Sequence, residues 1–173
     1  MGKIPEGLVE ETWLEVGALS ESQARRQMDQ IAKSQPALLA FVLAATGDLS
    51  TDAQQVAVYL YAVIHRMFEK SAGGLTPATP QSIEAAYEGN QAFLGKFEHA
   101  HERFLEKAAE SVASSQPFVM KYLVEALMET PEGDDPVVLS DEETGLILLV
   151  LKTVVDIFDE ATQHPSLAGD GTA

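Results

Sequence analysis

Hydrophobic residues recur at intervals of three and four along most of the chain, which is the spacing of one face of an α-helix. One stretch places seven of them on a single stripe: Val56, Tyr59, Leu60, Val63, Ile64, Met67 and Phe68. No segment alternates between apolar and polar residues for long enough to predict a β-strand. The pattern therefore predicts an all-α fold, a compact array of about six to seven helices in a single domain over residues 1–173.

Capping residues and turn-forming residues divide this pattern into helices. Ser20 with Gln23, and Ser140 with Glu143, have the spacing of a capping box, in which a serine hydroxyl and a longer side chain satisfy free amide protons at a helix start. Glycine, proline and small residues at about 71–80 predict a connector. The last helix is expected to end near residue 164, followed by a disordered tail at about 165–173.

The tripeptide Ser-Gln-Pro occurs at 34–36 and again at 115–117, each time between two helical stretches. Proline lacks a backbone N–H and disfavours helical geometry in the residue before it, so each copy predicts a sharp corner. Aligning the copies brings Phe41 onto Tyr122 and, past the next loop, Ser50 onto Ser140. These matches predict that a three-helix unit occurs twice, at about 20–71 and 101–163, with the apolar faces of each unit covered by the other.

The chain carries 27 acidic and 11 basic residues, for a net charge of −16. A field of that sign repels phosphate backbones and anionic lipid, so neither nucleic acid nor a membrane is an expected partner. The most apolar run, at 145–151, is far shorter than the roughly 20 residues that a membrane span needs. The absence of cysteine excludes thiol catalysis and disulfides. A cytoplasmic protein without a cofactor fits these observations.

An acidic loop at 129–143 holds seven acids and no basic residue, and it is where the two aligned copies differ in length. A selective Ca²⁺ site would need a defined ligand spacing that this loop lacks. Insertions in repeat proteins tend to lie in loops on one face, where partners bind. The loop therefore predicts a surface that contacts a basic patch on a protein partner, formed by Glu132, Asp134, Asp135, Asp141, Glu142 and Glu143.

Two weaker patterns are typical of catalytic or metal-binding sites. Tyr61, His65 and Glu69 follow each other at intervals of four on one predicted helix, an arrangement that could orient a general base. Glu98 and His101 have the Glu-x-x-His spacing that di-iron bundles use, although such a site needs two copies and the chain has one. If these five residues converge, they line a polar pocket between the two units.

Phosphate-binding loops, nucleophile elbows and helical zinc motifs are all missing from the sequence. The leading hypothesis is therefore a non-enzymatic helical-repeat protein that acts as an interaction or regulatory module and binds a protein partner. The alternative is a small-ligand or metal-dependent enzyme that uses the polar pocket. Self-association into a homo-oligomer through an exposed apolar face is a third hypothesis.

Overall fold

A computed structural model describes residues 2–95, 115–129 and 137–163 of the chain. These ranges contain seven α-helices and no β-strand, which confirms the all-α class and the expected number of helices. In chain order the helices are α1 (Glu6–Gly17), α2 (Glu21–Ser34), α3 (Pro36–Ala45), α4 (Thr51–Ala72), α5 (Pro80–Gly95), α6 (Pro117–Met128) and α7 (Asp141–Gln163). The expected tail at 165–173 lies outside the described residues, as does part of the second expected repeat.

The serine caps lie where the sequence places them. The Ser20 hydroxyl accepts from the Gln23 N–H while the Gln23 side chain accepts from the Ser20 N–H, which is the expected capping box at the start of α2. Ser140 and Glu143 form the second box at the start of α7. The connector begins at Gly73, whose φ of 74° is a left-handed conformation that favours glycine and ends α4.

Two long helices, α4 and α7, form the centre of the array and pack on each other. Each has ten buried residues along its length, including Tyr61, Phe68 and Phe158. The helix α1 covers α4, and α5 covers α7. The remaining helices lie around this four-helix arrangement.

The helix α3 is less buried than its sequence indicates. Its sequence is apolar almost all round, which predicts a central helix, yet only Leu38 and Val42 are fully buried. Leu43 is 43% exposed. The helix α3 contacts α2, α4, α5 and α7, so its inner face is covered while its outer face leaves an apolar side chain at the surface.

The first helix, α1, was not predicted as a helix. No side chain caps its first turn, and its buried stripe consists of only Val9, Thr12 and Val16. Acidic residues on its surface bind two basic residues of α4: Lys70 lies 2.7 Å from Glu11, and Arg66 lies 3.0 Å from Glu15. Tertiary packing rather than local sequence therefore stabilises this helix.

Both Ser-Gln-Pro segments form the expected corners, and the two corners have almost the same backbone geometry. Gln35 precedes α3 with φ −134° and ψ 57°, and Gln116 precedes α6 with φ −129° and ψ 70°. Neither glutamine side chain caps its own helix. Each is buried and bonds instead to a segment far away in the sequence.

Candidate protein-binding groove

An apolar groove lies between α2 and α4, with α1 and α3 closing its ends. Its volume is about 310 Å³. The walls are mainly aliphatic and aromatic, with three glutamines among them: Val16, Ala24, Gln27, Met28, Leu43, Gln54, Gln55, Val58, Tyr59 and Ala62. The groove opens to solvent, since Leu43 and Tyr59 are both more than two-fifths exposed.

The groove exists because α2 is attached to the rest of the molecule mainly at its C-terminal end. Residues 21–26 of this helix are all exposed, and Ile31 is its only fully buried residue. Nearer the middle, the Gln27 Nε2 donates a hydrogen bond to the Ala62 carbonyl of α4 over 3.3 Å. The polar first half of α2 thus leaves the facing side of α4 partly uncovered.

Aromatic side chains continue the groove along α1, and we call Trp13, Tyr59 and Tyr122 the aromatic edge. A Cβ atom at Gly17 would lie 3.5 Å from the Tyr59 hydroxyl, so this tyrosine lies directly over the end of α1. One helical turn earlier, Trp13 stacks on Tyr122 with ring centroids 6.4 Å apart. Burial raises the pKa of Tyr59 and of Tyr122, and the charges of Tyr59 and Glu129 raise that of Tyr122 further.

The helices that surround the groove carry a net negative charge that comes from α1. The helices α1 to α4 together include eight acidic and five basic residues, and α2 alone has two acidic and three basic residues. One of the basic residues, Arg25, forms an ion pair with Glu21 on the same helix at 3.3 Å. The helices around the groove therefore account for only a small part of the net charge of −16.

The predicted polar row does not lie in this groove. Tyr61 and His65 are buried between α4 and α7, where both rings contact Phe158 at centroid distances of 6.5 and 5.7 Å. Burial lowers the pKa of His65, Arg66 lowers it further, and the charge of Glu69 opposes both. The hydroxyl of Tyr61 has no hydrogen-bond partner among the described residues. The structure thus brings two of the predicted residues together in the core.

Glu69 lies apart from this pair at the surface, where it binds Arg66 at 2.9 Å. Glu98 and His101 lie outside the described residues, so the enzymatic alternative that depends on them stays a prediction. Within the described ranges, no group of three histidine or acidic side chains is placed to hold a metal ion.

The predicted acidic surface is only partly described. Glu132, Asp134 and Asp135 lie outside the described residues, while Asp141 and Glu142 are exposed in the first turn of α7. Glu143 has a structural role: its carboxylate accepts from the Ser50 N–H at 3.1 Å and from the Ser140 N–H at 3.0 Å. These bonds lower the pKa of Glu143 and tie the starts of α4 and α7 together.

Sequence reasoning missed the groove because no single signal marks it. The polar composition of α2 was the usable hint, since a helix with few apolar residues cannot cover a neighbour along its whole length. The exposure of Leu43 could not be read from a helix that is apolar all round.

Fold and groove together define an all-α helical array with an open apolar groove. No protein-family model matches the chain, and neither a curated protein nor a solved structure matches it. In the part of the chain that the structure describes, no helix has the length and apolar content needed to cross a membrane.

Proposed function

We propose that this protein is an interaction or regulatory module that binds an amphipathic helix of a protein partner in the groove between α2 and α4. The observation that carries the proposal is the groove itself. It is an apolar depression in which Leu43 and Tyr59 remain exposed, although most large apolar side chains of residues 4–72 are covered. Exposed apolar clusters with a polar rim are typical of protein-binding sites.

The shape and chemistry of the groove support a helical partner. A helix that docks in a groove inserts apolar anchors spaced at i, i+3, i+4 and i+7, and a volume of about 310 Å³ accommodates a few such side chains. Gln55 is exposed at the rim and can hydrogen-bond to the polar flank of a docked helix. The aromatic edge extends the contact, because tyrosine and tryptophan combine a large apolar area with a polar group.

The charge of the protein supports a basic partner. A net charge of −16 attracts a basic segment over long range and speeds its association. Asp141 and Glu142, exposed at the start of α7, belong to the acidic surface that we propose as a second contact with the same partner. Binding through both charge and apolar anchors weakens with salt but persists at high ionic strength, whereas binding through charge alone is lost.

The proposal is tested with a synthetic amphipathic helix that carries leucines on one face and lysines on the other. The control peptide has the same composition in a scrambled order without an apolar face. We expect the amphipathic peptide to bind in a fluorescence anisotropy titration and the scrambled one to bind more weakly. Equal binding of the two peptides would show that charge alone is recognised.

A matched pair of variants places the binding in the groove. Leu43→Lys removes an apolar contact in the groove and adds a repelling charge, and we expect it to weaken peptide binding about tenfold, which is 1.4 kcal/mol. Ala85→Lys adds the same charge at an exposed residue of α5 that belongs neither to the groove nor to the acidic surface. Equal loss of affinity in both variants, or none in the first, would rule out the groove as the binding site.

A further inference from the structure

We infer that the chain contains the same helix-docking site twice, once in a first half (residues 4–72) and once in a second half (residues 78–163). The first helix of each half occupies the docking site of the other half. The first docking site consists of Gln35 and Phe41 and receives α5. The second docking site consists of Gln116 and Tyr122 and receives α1. This inference extends the predicted three-helix repeat by a fourth helix in each half and is independent of the proposed function.

The polar anchor is the same in both sites. The Ala78 N–H donates to the Gln35 Oε1 at 2.9 Å, and the Ile4 N–H donates to the Gln116 Oε1 at 2.9 Å. In both cases the donor lies two residues before the first residue of the docked helix, since α5 begins at Pro80 and α1 at Glu6. Both glutamines are buried, so each bond satisfies a side-chain oxygen that has little access to water.

The aromatic contact follows at the same spacing in both sites. Phe41 lies six residues after Gln35, and Tyr122 lies six residues after Gln116. On the docked helices, the residue nine positions after the bonded N–H supplies the partner ring. Tyr87 meets Phe41 at 5.2 Å between centroids, and Trp13 meets Tyr122 at 6.4 Å.

Burial and packing repeat as well. Val9 and Ile83 each lie five residues after the bonded N–H, and each is 5% exposed. The helix α1 packs on α4 and α6, and α5 packs on α7 and α3. Each first helix therefore contacts the last helix of its own half and the corner helix of the other half.

Amphipathic periodicity alone does not explain this agreement. It would align apolar residues on any two helices, but it would not place a buried glutamine on the backbone N–H two residues before a helix in both halves. The ring geometry differs between the sites, at 19° for Trp13 with Tyr122 and 70° for Tyr87 with Phe41. The two sites thus share the positions of their contacts rather than the identity of every side chain.

Exchanged first helices make the two halves depend on each other. The helix α1 of the first half packs on the Gln116 corner of the second half. The helix α5 of the second half packs on the Gln35 corner of the first half. Loosening one corner should therefore release a helix that belongs to the other half of the sequence.

The test compares Gln35→Leu with Gln116→Leu in the full chain, using hydrogen exchange and the emission of Trp13, which is the only tryptophan. We expect Gln116→Leu to speed amide exchange in α1 about fivefold, the factor for a net hydrogen bond of about 1 kcal/mol, and to shift the emission of Trp13. Gln35→Leu should speed exchange in α5 instead and leave the emission unchanged.

Gln116 also donates to the buried Asp159 at 2.7 Å, so its replacement removes a second bond and could destabilise the whole protein. A second pair of variants, at the aromatic residues, therefore tests the same helix docking without removing that bond. Tyr122→Leu and Phe41→Leu alter half-buried rings and should give the same crossed pattern in α1 and α5. The inference is overturned if the variants at positions 35 and 41 loosen α1, or if those at 116 and 122 leave α1 as protected as in the wild type.

Discussion

Replacing Tyr61 with phenylalanine should make the protein more stable. The tyrosine is fully buried at the interface of α4 and α7, and its hydroxyl has no hydrogen-bond partner in the described part of the chain. In the unfolded chain the same hydroxyl bonds to water, so folding removes a bond that nothing replaces. Phenylalanine keeps the ring stacked on Phe158, where the planes are inclined by 11°, and removes only the unsatisfied group.

The expected gain follows from the cost of an unsatisfied buried polar group, which is about 1–3 kcal/mol. For a chain of this size each kcal/mol raises the melting temperature by about 2–4 °C. Burial also raises the pKa of Tyr61 above its ordinary value of 10.0, so the native state favours the neutral hydroxyl. The stability of the wild type should therefore fall as the pH rises above 10.0, and Tyr61→Phe should remove part of that fall.

The assay is urea denaturation followed by circular dichroism, at neutral and alkaline pH, with Tyr59→Phe as the matched control. Tyr59 lies two residues earlier on the same helix and is 44% exposed, so loss of its hydroxyl should change the free energy of unfolding at neutral pH by less than about 0.5 kcal/mol. A variant Tyr61→Phe that is no more stable than the wild type would refute the reasoning, because it would mean that the hydroxyl is satisfied in solution.

Two further predictions concern pH. Burial lowers the pKa of His65, so the wild type should lose stability as the pH falls below the ordinary value of 6.5. His65→Val lacks this group, so its free energy of unfolding, measured by urea denaturation, should fall less than that of the wild type over the same pH range. The lowered pKa of Glu143 means that its contribution is present above the ordinary value of 4.5 and is lost as the pH falls below it. Glu143→Gln should therefore lower the melting temperature at neutral pH and less so in acid, whereas exposed Glu142→Gln should change it little at either pH; equal effects of the two would contradict a capping role.

The sequence was a good guide wherever local interactions decide the structure. The stripe around Val63 predicted α4, and Ser20 and Ser140 marked the starts of α2 and α7, because caps and amphipathic period act within one or two turns. Proline at each corner acted in the same local way. These signals were enough for the class of fold and for the starts of several helices.

The remainder depended on contacts between residues far apart in the chain. The side chain of Gln35 bonds residues 76 and 78, and these partners depend on the path of the connector, which the local sequence does not indicate. The sequence places His65 in a row of polar residues. In the structure it is buried, because Phe158 of α7 covers that face of α4. The groove has the same origin, since it depends on how far α2 stands from α4.

Hydrogen bonds to the carboxylate of Asp159 connect segments from both ends of the described residues. One oxygen accepts from Gln116, which in turn holds the Ile4 N–H, and the other accepts from Gln163 at 2.7 Å. Ile4 and Gln163, which lie near the two ends of the described residues, are therefore linked through Gln116 and Asp159, while Gly73 and Gly74 lie in the connector after α4. A circular permutant that opens this connector and joins residue 163 to residue 4 would keep both glutamine corners, with the order of the two halves reversed.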